Sequence, residues 1–267
     1  MKIGIIQIFS NENKEENIKK AIEYSEKAIN EGAELLVLPE LFNFHSIKSE
    51  KENYLKNAED DEGQTIKEFL SLSKKYNVTF ITGSITEKYF NNLYNTSYIV
   101  SKGSILGKYR KIHLFKYEDI DESKIFTPGE EPLVVECLGT KIGITICFDL
   151  RFPEIFRIEA LMGARIIVNV AAFLEKTGRM HWLPLLKTRA IENQVFIIAA
   201  NQPNGGIRKY YGHSCVIDPW GRCLAIASNK EEILLVDINM EIVENIRRKM
   251  PLLEMMKFEI KKRNEFI

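Results

Sequence analysis

The chain has 267 residues, of which 45 % are apolar and 28 % are charged, a composition typical of soluble globular proteins. Its 37 basic and 37 acidic residues balance, so no charge bias points to nucleic acid or to an anionic membrane as a partner. The four cysteines lie far apart in the sequence, which argues against a disulfide framework or a zinc ribbon and predicts a reducing, cytoplasmic location. We find neither a signal-peptide pattern nor an apolar run long enough to span a bilayer. We therefore expect one domain covering residues 1–267.

Strands and helices alternate in the first half of the predicted chain. The predicted elements there are a strand at 2–9, a helix between an N-cap at Asn13 and a C-cap at Gly32, a strand at 35–38, a helix at 65–76, a strand at 78–85 and a hairpin of 93–101 with 104–109. Residues 114–131 are charged and contain Pro-Gly, which predicts a loop.

The second half adds hairpins to this alternation. Its predicted elements are a hairpin of 133–137 with 141–147, a helix at 154–163, a strand at 165–171, a helix at 181–193, a strand at 195–200, a meander of 211–218, 222–227 and 233–237, and a helix at 240–249. Such a mixture excludes a purely parallel sheet. It predicts an α/β fold with two mixed sheets and helices outside them.

One stretch, residues 141–154, joins a buried strand to the start of a helix. Ile142, Ile144 and Ile146 form the apolar strand, and Pro153 suits the first turn of a helix. Cys147 therefore falls at the carboxyl end of a core strand, the edge where α/β sheets bind ligands. A thiol facing the positive end of a helix is expected to favour the thiolate, although most free cysteines are small buried apolar residues.

Two charged residues occupy similar positions. Glu40 follows the strand at 35–38, and Lys111 follows the strand at 104–109. A single charged residue is usually solvated surface, but three reactive types at strand ends fit a hydrolase. Cys147 can be the nucleophile, a carboxylate with a raised pKa in a dry site can be the general base, and an ammonium can stabilise an oxyanion. The backbone N–H of Phe148 is the natural second oxyanion donor.

The segments that carry these residues resemble the three signature blocks of the nitrilase superfamily, the carbon–nitrogen hydrolases. They read LPELF at 38–42, YRKIHLF at 109–115 and ICFDLRFPE at 146–154. The resemblance continues through GRMHW, TRAIEN, GHS and DPWG at 178–182, 188–193, 212–214 and 218–221, and so covers nearly the whole chain. The most similar pattern is that of the ω-amidase-like branch, which cleaves the side-chain amide of small dicarboxylic acid monoamides.

This resemblance implies roles for individual residues. Glu40 would be the general base, Lys111 the cation that stabilises the oxyanion and Cys147 the nucleophile. The second glutamate of the family, which helps to place the substrate and the lysine, is best matched by Glu122. The loop after Lys111 is short here, so Glu118 stays an alternative.

The family resemblance also implies architecture and partners. It implies an α-β-β-α sandwich that pairs into a homodimer or a higher homo-oligomer, with the tail from about residue 251 contacting the partner subunit. No metal and no organic cofactor is implied. The partner is a small-molecule amide substrate.

The substrate is the least determined part of the prediction, because residues 43–46, 169–173 and 178–181 depart from the ω-amidase pattern. The predicted substrate-binding residues are Phe148, Ala171, Ala172, Phe173 and Arg179, with Arg179 as the cation for a substrate carboxylate. The expected reaction is cysteine-dependent hydrolysis of a small amide, most simply an ω-amide, through a thioester with release of ammonia. N-carbamoyl amino acids and deaminated glutathione are alternative substrates.

Two other readings remain open from the sequence. A histidine-assisted cysteine hydrolase could use His113, His181 or His213, although no Cys–His signature supports it. A non-catalytic binding or scaffold protein with a relic pocket would be expected to have lost at least one of the three reactive residues, and all three are present.

Overall fold

A computed structural model of the protein describes residues 1–46, 48, 50–205 and 208–261. The helices of these residues are α1 (Lys14–Asn30), α2 (Lys51–Asn57), α3 (Gln64–Tyr76), α4 (Pro153–Leu161), α5 (Glu175–Asn193) and α6 (Glu241–Lys249). The strands are β1 (Lys2–Gln7), β2 (Leu35–Val37), β3 (Thr79–Ile81), β4 (Ile85–Tyr89), β5 (Asn92–Ser101), β6 (Ser104–Arg110), β7 (Lys116–Tyr117), β8 (Ile120–Asp121), β9 (Val134–Cys137), β10 (Thr140–Ile146), β11 (Ile166–Ala171), β12 (Phe196–Asn201), β13 (Cys215–Ile217), β14 (Cys223–Ile226) and β15 (Glu232–Asp237).

Two large mixed sheets are built on the same plan. Among the described residues, the first sheet runs β15-β1-β2-β3-β5-β4 with β6 beside β5, and the second runs β14-β13-β12-β11-β10-β9. Each has three parallel strands at its centre, β1-β2-β3 and β10-β11-β12, flanked by antiparallel strands. The predicted α/β architecture with two mixed sheets is therefore confirmed.

Alternating side chains of the central strands define the layers. Ile3 and Ile5 of β1 belong to the same core cluster as Ile144 of β10 and Trp182 of α5. Ile6 of β1 faces the other way and packs in a separate cluster with residues of α1 and α3. Since successive strand residues point to opposite faces, this alternation gives the order helices, sheet, sheet, helices. The α-β-β-α sandwich that the family resemblance implies is therefore confirmed.

Helix α1 shows why the local sequence signals work. The Asn13 side chain accepts a hydrogen bond from the Glu16 backbone N–H at 3.2 Å, as the capping pattern predicts. The buried residues of α1 include Ile18, Ala21 and Ala28, which lie along one face of the helix. Gly32 then adopts a φ of +91°, a conformation that glycine adopts without strain.

Two predicted β elements are wrong, one in its division into strands and one in its pairing. The single strand expected at 78–85 is two strands, β3 and β4, separated by a turn in which Gly83 has a φ of +62°. In the expected meander, β13 pairs with β14, but β15 pairs with β1 in the other sheet. Strand pairing of this kind depends on contacts between distant parts of the chain, which local patterns do not encode.

Other differences concern irregular and terminal segments. The expected loop at 114–131 contains the small β7–β8 hairpin and a 3₁₀ turn at Glu122–Lys124. Helix α2 was not predicted, and α5 begins at Glu175, six residues earlier than expected. In the tail, Leu253 packs against the main core cluster, whereas residues 262–267 lie outside the described residues. A contact between the tail and a partner subunit stays a prediction. Within the described part of the chain, no helix is both long enough and apolar enough to cross a membrane.

Candidate active site

Three strand ends bring the predicted reactive residues together. Glu40 follows β2, Lys111 follows β6 and Cys147 follows β10. Two close glycine contacts hold the first two ends in place. A Cβ added at Gly83 would lie 2.0 Å from the Pro39 carbonyl oxygen, and one at Gly129 would lie 2.1 Å from that of Arg110. Only glycine allows the backbone to approach this closely beside Glu40 and Lys111.

The Glu40 carboxylate is buried and receives several hydrogen bonds. Lys111 Nζ and Asn95 Nδ2 both lie 2.8 Å from Oε1, and the Ala172 backbone N–H donates to Oε2 at 2.8 Å. The nearby Cys147 thiol also favours the charged form of this carboxylate and lowers its pKa. Burial alone would raise the pKa of Glu40, but the Lys111 charge and these donors hold it below its usual value. The expected raised pKa of the base is therefore wrong: Glu40 is ionised in the folded protein.

Lys111 is buried between two carboxyl groups. Its Nζ lies 2.8 Å from Glu40 Oε1 and 2.8 Å from Glu122 Oε2. Burial lowers the pKa of Lys111, but the negative charges of Glu122 and Glu40 more than compensate and place it well above the usual value. The lysine therefore supplies a fixed positive charge.

Glu122 and Glu118 occupy different environments. The Glu122 carboxyl accepts from the Phe115 N–H at 2.8 Å in addition to Lys111, whereas Glu118 is exposed and lies 2.6 Å from Lys176. Burial and the nearby Glu40 charge raise the pKa of Glu122 against the opposing effect of Lys111. Of the two glutamates weighed from the sequence, Glu122 is the one that contacts Lys111.

Cys147 sits on a strained turn. Its φ is +47°, an uncommon conformation for a residue with a side chain, and a 3₁₀ turn over Cys147–Arg151 leads into α4. Asp149 holds this turn by accepting hydrogen bonds from the Ile146 N–H at 2.8 Å, the Tyr109 hydroxyl at 2.7 Å and the His113 N–H at 3.0 Å. Asp149 thus ties the Cys147 turn to the segment that carries Lys111.

The pKa of the Cys147 thiol contradicts the expected stabilised thiolate. Burial and the Glu40 charge raise this pKa well above the usual value, although Lys111 acts in the opposite direction. The positive end of the helix that follows therefore does not offset the effect of burial on this pKa. The resting thiol is therefore protonated and needs a base, and the Glu40 carboxylate lies beside it in the cavity lining.

A cavity of about 300 Å³ opens above Cys147. This is near the lower end of the roughly 300–1,000 Å³ range of small-molecule sites. Phe148, Ala172 and Phe173 line it, as predicted. Ala171, which was also predicted to bind substrate, is a fully buried residue of β11 and is not among the residues that line the cavity.

The predicted carboxylate partner, Arg179, lies outside this cavity. Its exposed side chain is 2.5 Å from Glu175, and it lines a separate groove. The arginine that does line the cavity is Arg151, at 5.7 Å from the Phe148 ring and 5.1 Å from the Phe173 ring. Arg151 lies within the signature block at 146–154, but the sequence pattern alone does not distinguish an arginine of the cavity from one on the surface.

Other cavity residues were missed because they come from distant segments. His45 and Tyr210 are buried, and the Tyr210 hydroxyl lies 3.0 Å from His45 Nε2. Burial and the Arg208 charge lower the pKa of His45 to about 4, so the imidazole is neutral near pH 7. Asn95, which contacts Glu40 and does not line the cavity, lies in a run of polar residues in a buried strand, and that run is the signal that could have indicated it.

The histidines weighed as alternative bases have other partners. His113 is bonded to Asp149 at 2.7 Å and stacks on Phe152. His181 lies 3.1 Å from Arg151, and His213 lies 2.5 Å from the Tyr211 carbonyl oxygen. Of the groups that act on the pKa of the Cys147 thiol, the carboxylates are Glu40 and Glu122 and none is a histidine, so the arrangement favours Glu40 over a histidine. Among the described residues, no cluster of three or more His, Cys, Asp or Glu side chains is arranged to hold a metal ion.

Chemically, this arrangement offers a base, a thiol and a cation around one point. The carboxylate can accept the thiol proton, and the ammonium can stabilise negative charge on an oxygen of a bound carbonyl group. Such a set suits acyl transfer through a covalent intermediate.

Comparisons with known proteins support the same chemistry. The family model described as carbon–nitrogen hydrolase matches residues 2–248. A deaminated glutathione amidase of Dictyostelium discoideum is 37 % identical, with 99 % of this chain and 95 % of that protein covered. The omega-amidase NIT3 of Saccharomyces cerevisiae is 32 % identical, with 97 % and 94 % covered.

A solved structure is similar over the same length. The crystal structure of Saccharomyces cerevisiae Nit3, a member of branch 10 of the nitrilase superfamily, aligns with a TM-score of 0.88 and 31 % identity over 97 % of each chain. With the matched family model spanning residues 2–248, the chain belongs to the carbon–nitrogen hydrolases of the nitrilase superfamily.

Proposed function

We propose that the protein hydrolyses the terminal amide of a small dicarboxylic acid monoamide and releases ammonia through a thioester on Cys147. One observation carries this proposal: Lys111 Nζ lies 2.8 Å from both Glu40 and Glu122, beside a buried thiol at the base of a cavity. The amidase names of the similar proteins favour an amide over a nitrile as the substrate.

Acylation begins with the scissile carbonyl carbon beside the Cys147 sulfur. Glu40 takes the thiol proton, which the raised pKa of Cys147 would otherwise retain, and the sulfur attacks. Lys111 and the Phe148 backbone N–H stabilise the oxygen of the tetrahedral intermediate. Glu40 returns the proton to the nitrogen, the C–N bond breaks and ammonia leaves.

Deacylation reuses the same groups. A water molecule enters where ammonia has left, Glu40 accepts its proton and the hydroxide attacks the thioester carbonyl. The C–S bond breaks, Glu40 passes its proton to the departing Cys147 sulfur and the acid is released. The scheme uses side chains of this chain and one water molecule.

Arg151 is the residue we assign to the carboxylate of the acyl group. It follows Cys147 by one 3₁₀ turn, lines the cavity and lies against two aromatic rings. A planar guanidinium in this position can hold a carboxylate through two parallel hydrogen bonds.

The experiment is an ammonia-release panel with the purified protein. The substrates are 2-oxoglutaramate, 2-oxosuccinamate, succinamate, an N-carbamoyl amino acid and a simple nitrile, and the Cys147→Ala variant is the blank. We expect release from the monoamides alone. Release from none of them, or equal release from the Cys147→Ala variant, would contradict the proposal.

A second candidate is an amide with a larger amine part. The 37 % identical relative is named a deaminated glutathione amidase, and the cavity mouth extends past Arg208 to the protein surface. In that case the acylation step is unchanged, but the leaving group is a peptide amine instead of ammonia. Adding deaminated glutathione to the panel, with 2-oxoglutarate as the measured product, tests it directly.

We also propose that the chain acts as a homodimer in the cytoplasm. Exposed apolar side chains on and beside the outer helices support pairing, among them Leu161 at 52 %, Ile191 at 46 % and Trp220 at 57 % exposure. Four free cysteines suit a reducing compartment. Sedimentation of the protein and of an Ile191→Glu variant tests pairing, because a charge in that interface would shift a dimer toward monomers.

A further inference from the structure

Glu40 lies on a turn whose backbone is held by hydrogen bonds from several segments. Leu41, the next residue, has a φ of +49°, an uncommon conformation for a residue with a side chain. Its N–H donates to Ser84 Oγ at 2.9 Å, and its carbonyl oxygen accepts from Ser10 Oγ at 2.8 Å. Ser10 follows β1, and Ser84 lies between β3 and β4, so both contacts come from the first sheet. A turn of this kind persists only where its surroundings hold it.

The contact from the second sheet is made by Gln202, which follows β12 and is fully buried. Its Nε2 donates to the Glu40 carbonyl oxygen at 2.7 Å and to Ser10 Oγ at 2.9 Å. Its Oε1 accepts from the Ser10 backbone N–H at 3.1 Å. Because a backbone N–H can only donate, it must face the oxygen of the amide, and this fixes Nε2 toward Glu40. The side chain of Gln202 therefore joins the Glu40 turn to the second sheet.

The main chain of Gln202 acts on the same carboxyl group by a second route. Its N–H donates to the Ala171 carbonyl oxygen at 2.9 Å. The following residue, Ala172, donates its own N–H to Glu40 Oε2 at 2.8 Å. Gln202 thus contacts the Glu40 peptide directly and also holds the segment that carries a donor to the Glu40 carboxylate.

This link matters because the reactive groups come from different sheets. Glu40 follows β2 of the first sheet, whereas Cys147 follows β10 of the second. Asp149 ties the Cys147 turn to the segment that carries Lys111, and the Gln202 contacts make the corresponding connection for Glu40. Transfer of a proton between a carboxylate and a thiol requires a short and reproducible distance between them.

From these contacts we infer that Gln202 is a positioning residue for the base: it fixes the Glu40 turn against the second sheet, at the distance from Cys147 that proton transfer requires. The inference rests on the proposed role of Glu40 as the base. Gln202 is not among the residues that line the cavity, so its effect on the reaction passes through Glu40.

The Gln202→Met variant tests the inference, because methionine keeps the length of the side chain but removes the three hydrogen bonds to Glu40 and Ser10. We expect kcat for ammonia release from 2-oxoglutaramate to fall by about 10²-fold, the cost of misplacing a catalytic group by about 1 Å. KM should change little, since Gln202 does not line the cavity.

The pH profile separates positioning from a loss of stability. Burial raises the pKa of Glu40, whereas Lys111, the Cys147 thiol and the Ala172 N–H lower it below the usual value. A carboxylate that moves away from these groups but stays buried has a higher pKa. The acid limb of kcat/KM in Gln202→Met should therefore shift to higher pH, an effect that lower stability alone does not produce.

A second measurement needs no substrate. Iodoacetamide alkylates cysteine sulfur with release of iodide, and the protonated Cys147 thiol must pass its proton to Glu40 as the sulfur reacts. Gln202→Met should slow alkylation of Cys147 about as much as it lowers kcat. Alkylation of Cys223, measured by mass spectrometry in the same sample, is the internal reference and should keep its rate.

Gln7→Met is the matched control. Gln7 of β1 is equally buried, and its side chain also makes three hydrogen bonds: to the carbonyl oxygens of Ser228 and Lys230 and from the Ser214 N–H. These bonds do not involve Glu40. Gln7→Met should therefore lower Tm about as much as Gln202→Met but leave kcat, the acid limb and Cys147 alkylation unchanged.

A milder change tests the same contacts if Gln202→Met does not fold. Ser10→Ala removes the hydroxyl group between Gln202 and Leu41 but leaves the bond from Gln202 to Glu40. We expect kcat to fall about threefold to tenfold, the effect of one hydrogen bond, with a shift of the acid limb in the same direction.

The outcomes separate this inference from the proposed function. An unchanged kcat and acid limb in Gln202→Met, or in Ser10→Ala where only that variant folds, overturns the inference alone. Equal losses of kcat in Gln202→Met and Gln7→Met also overturn it, because the effect would then be a general loss of packing. If the native chain releases no ammonia, the amidase proposal fails, and the alkylation rates of Cys147 decide the inference by themselves.

Discussion

Glu40 and Glu159 are both buried carboxyl groups, with 2 % and 0 % exposure, yet their pKa values shift in opposite directions. Lys111, Asn95 and the Ala172 N–H donate to Glu40 and hold its pKa below the usual value. Glu159 of α4 packs against Gly143, and burial together with the negative charge of Asp149 raises its pKa well above the usual value. Burial opposes charge in both cases, so the surrounding donors and charges decide the outcome.

The largest expected effect comes from replacing Glu40, the carboxyl group whose pKa is lowered. Glu40→Gln keeps the shape of the side chain but cannot accept the Cys147 proton, so we expect kcat to fall by roughly 10²–10⁴. Single-turnover measurement of acid release checks it. Glu154→Gln, an exposed change at the start of α4, is the control and should leave the rate unchanged. A comparable rate in Glu40→Gln would mean that another group is the base.

A smaller effect is expected at the turn that presents the thiol. Asp149→Asn replaces acceptor oxygens that hold the Ile146 N–H, the Tyr109 hydroxyl and the His113 N–H. We expect a destabilisation of about 1–3 kcal/mol, since hydrogen bonds to a charged, buried acceptor are weakened. A drop in kcat with little change in KM would identify Asp149 as a positioning residue, whereas loss of stability with unchanged kcat would restrict it to folding.

The pH dependence of activity sharpens the comparison further. Because the pKa of Glu40 lies below its usual value, the base stays ionised as pH falls and should lose function only below about pH 4.3, the usual value for glutamate. Below the pKa of Glu40, kcat/KM should fall about tenfold per pH unit. A limb centred near pH 6.5 would instead indicate a histidine.

The smallest effect is expected at the protonated carboxyl group. A raised pKa means that folded Glu159 retains a proton that the unfolded chain releases, so stability declines as pH rises above about 4.3. Glu159→Gln removes this dependence without a change of shape. At pH 7 we expect Tm to rise by roughly 2–4 °C, the shift that about 1 kcal/mol gives in a chain of this size. The measurement is the difference in Tm between the variant and the native chain at each pH. A smaller difference at pH 7 than at pH 4 would mean that Glu159 is ionised in the folded protein.

Local patterns were sufficient for much of this molecule. The apolar runs before Glu40 and Cys147 and the strand before Lys111 were predicted, and the structure brings these three residues together. The capping signals at Asn13 and Gly32 also predict where α1 begins and ends. In each case the information lies within a few residues of the feature.

Features that depend on distant segments could not be predicted in the same way. The direction of the pKa shifts of Glu40 and Cys147 depends on burial by other elements, and both sequence-based expectations were wrong. Arg151 and Arg179 are both arginines near a signature block, and which of them lines the cavity depends on tertiary packing. The place of β15 in the first sheet likewise follows from tertiary pairing.

That pairing has a consequence for biosynthesis. Strand β15 binds β1 from Lys2 opposite Asp237 to Gln7 opposite Glu232, and the Met1 amine contacts the Ile238 carbonyl oxygen, 237 positions away in sequence. A ribosome that has made β1 must therefore synthesise almost the entire chain before the strand meets this neighbour. Until then one side of β1 is an open β-edge, which can pair with other nascent chains. Closing the sheet across such a distance is slow, so we expect chaperone supply and growth temperature to govern the yield of folded protein.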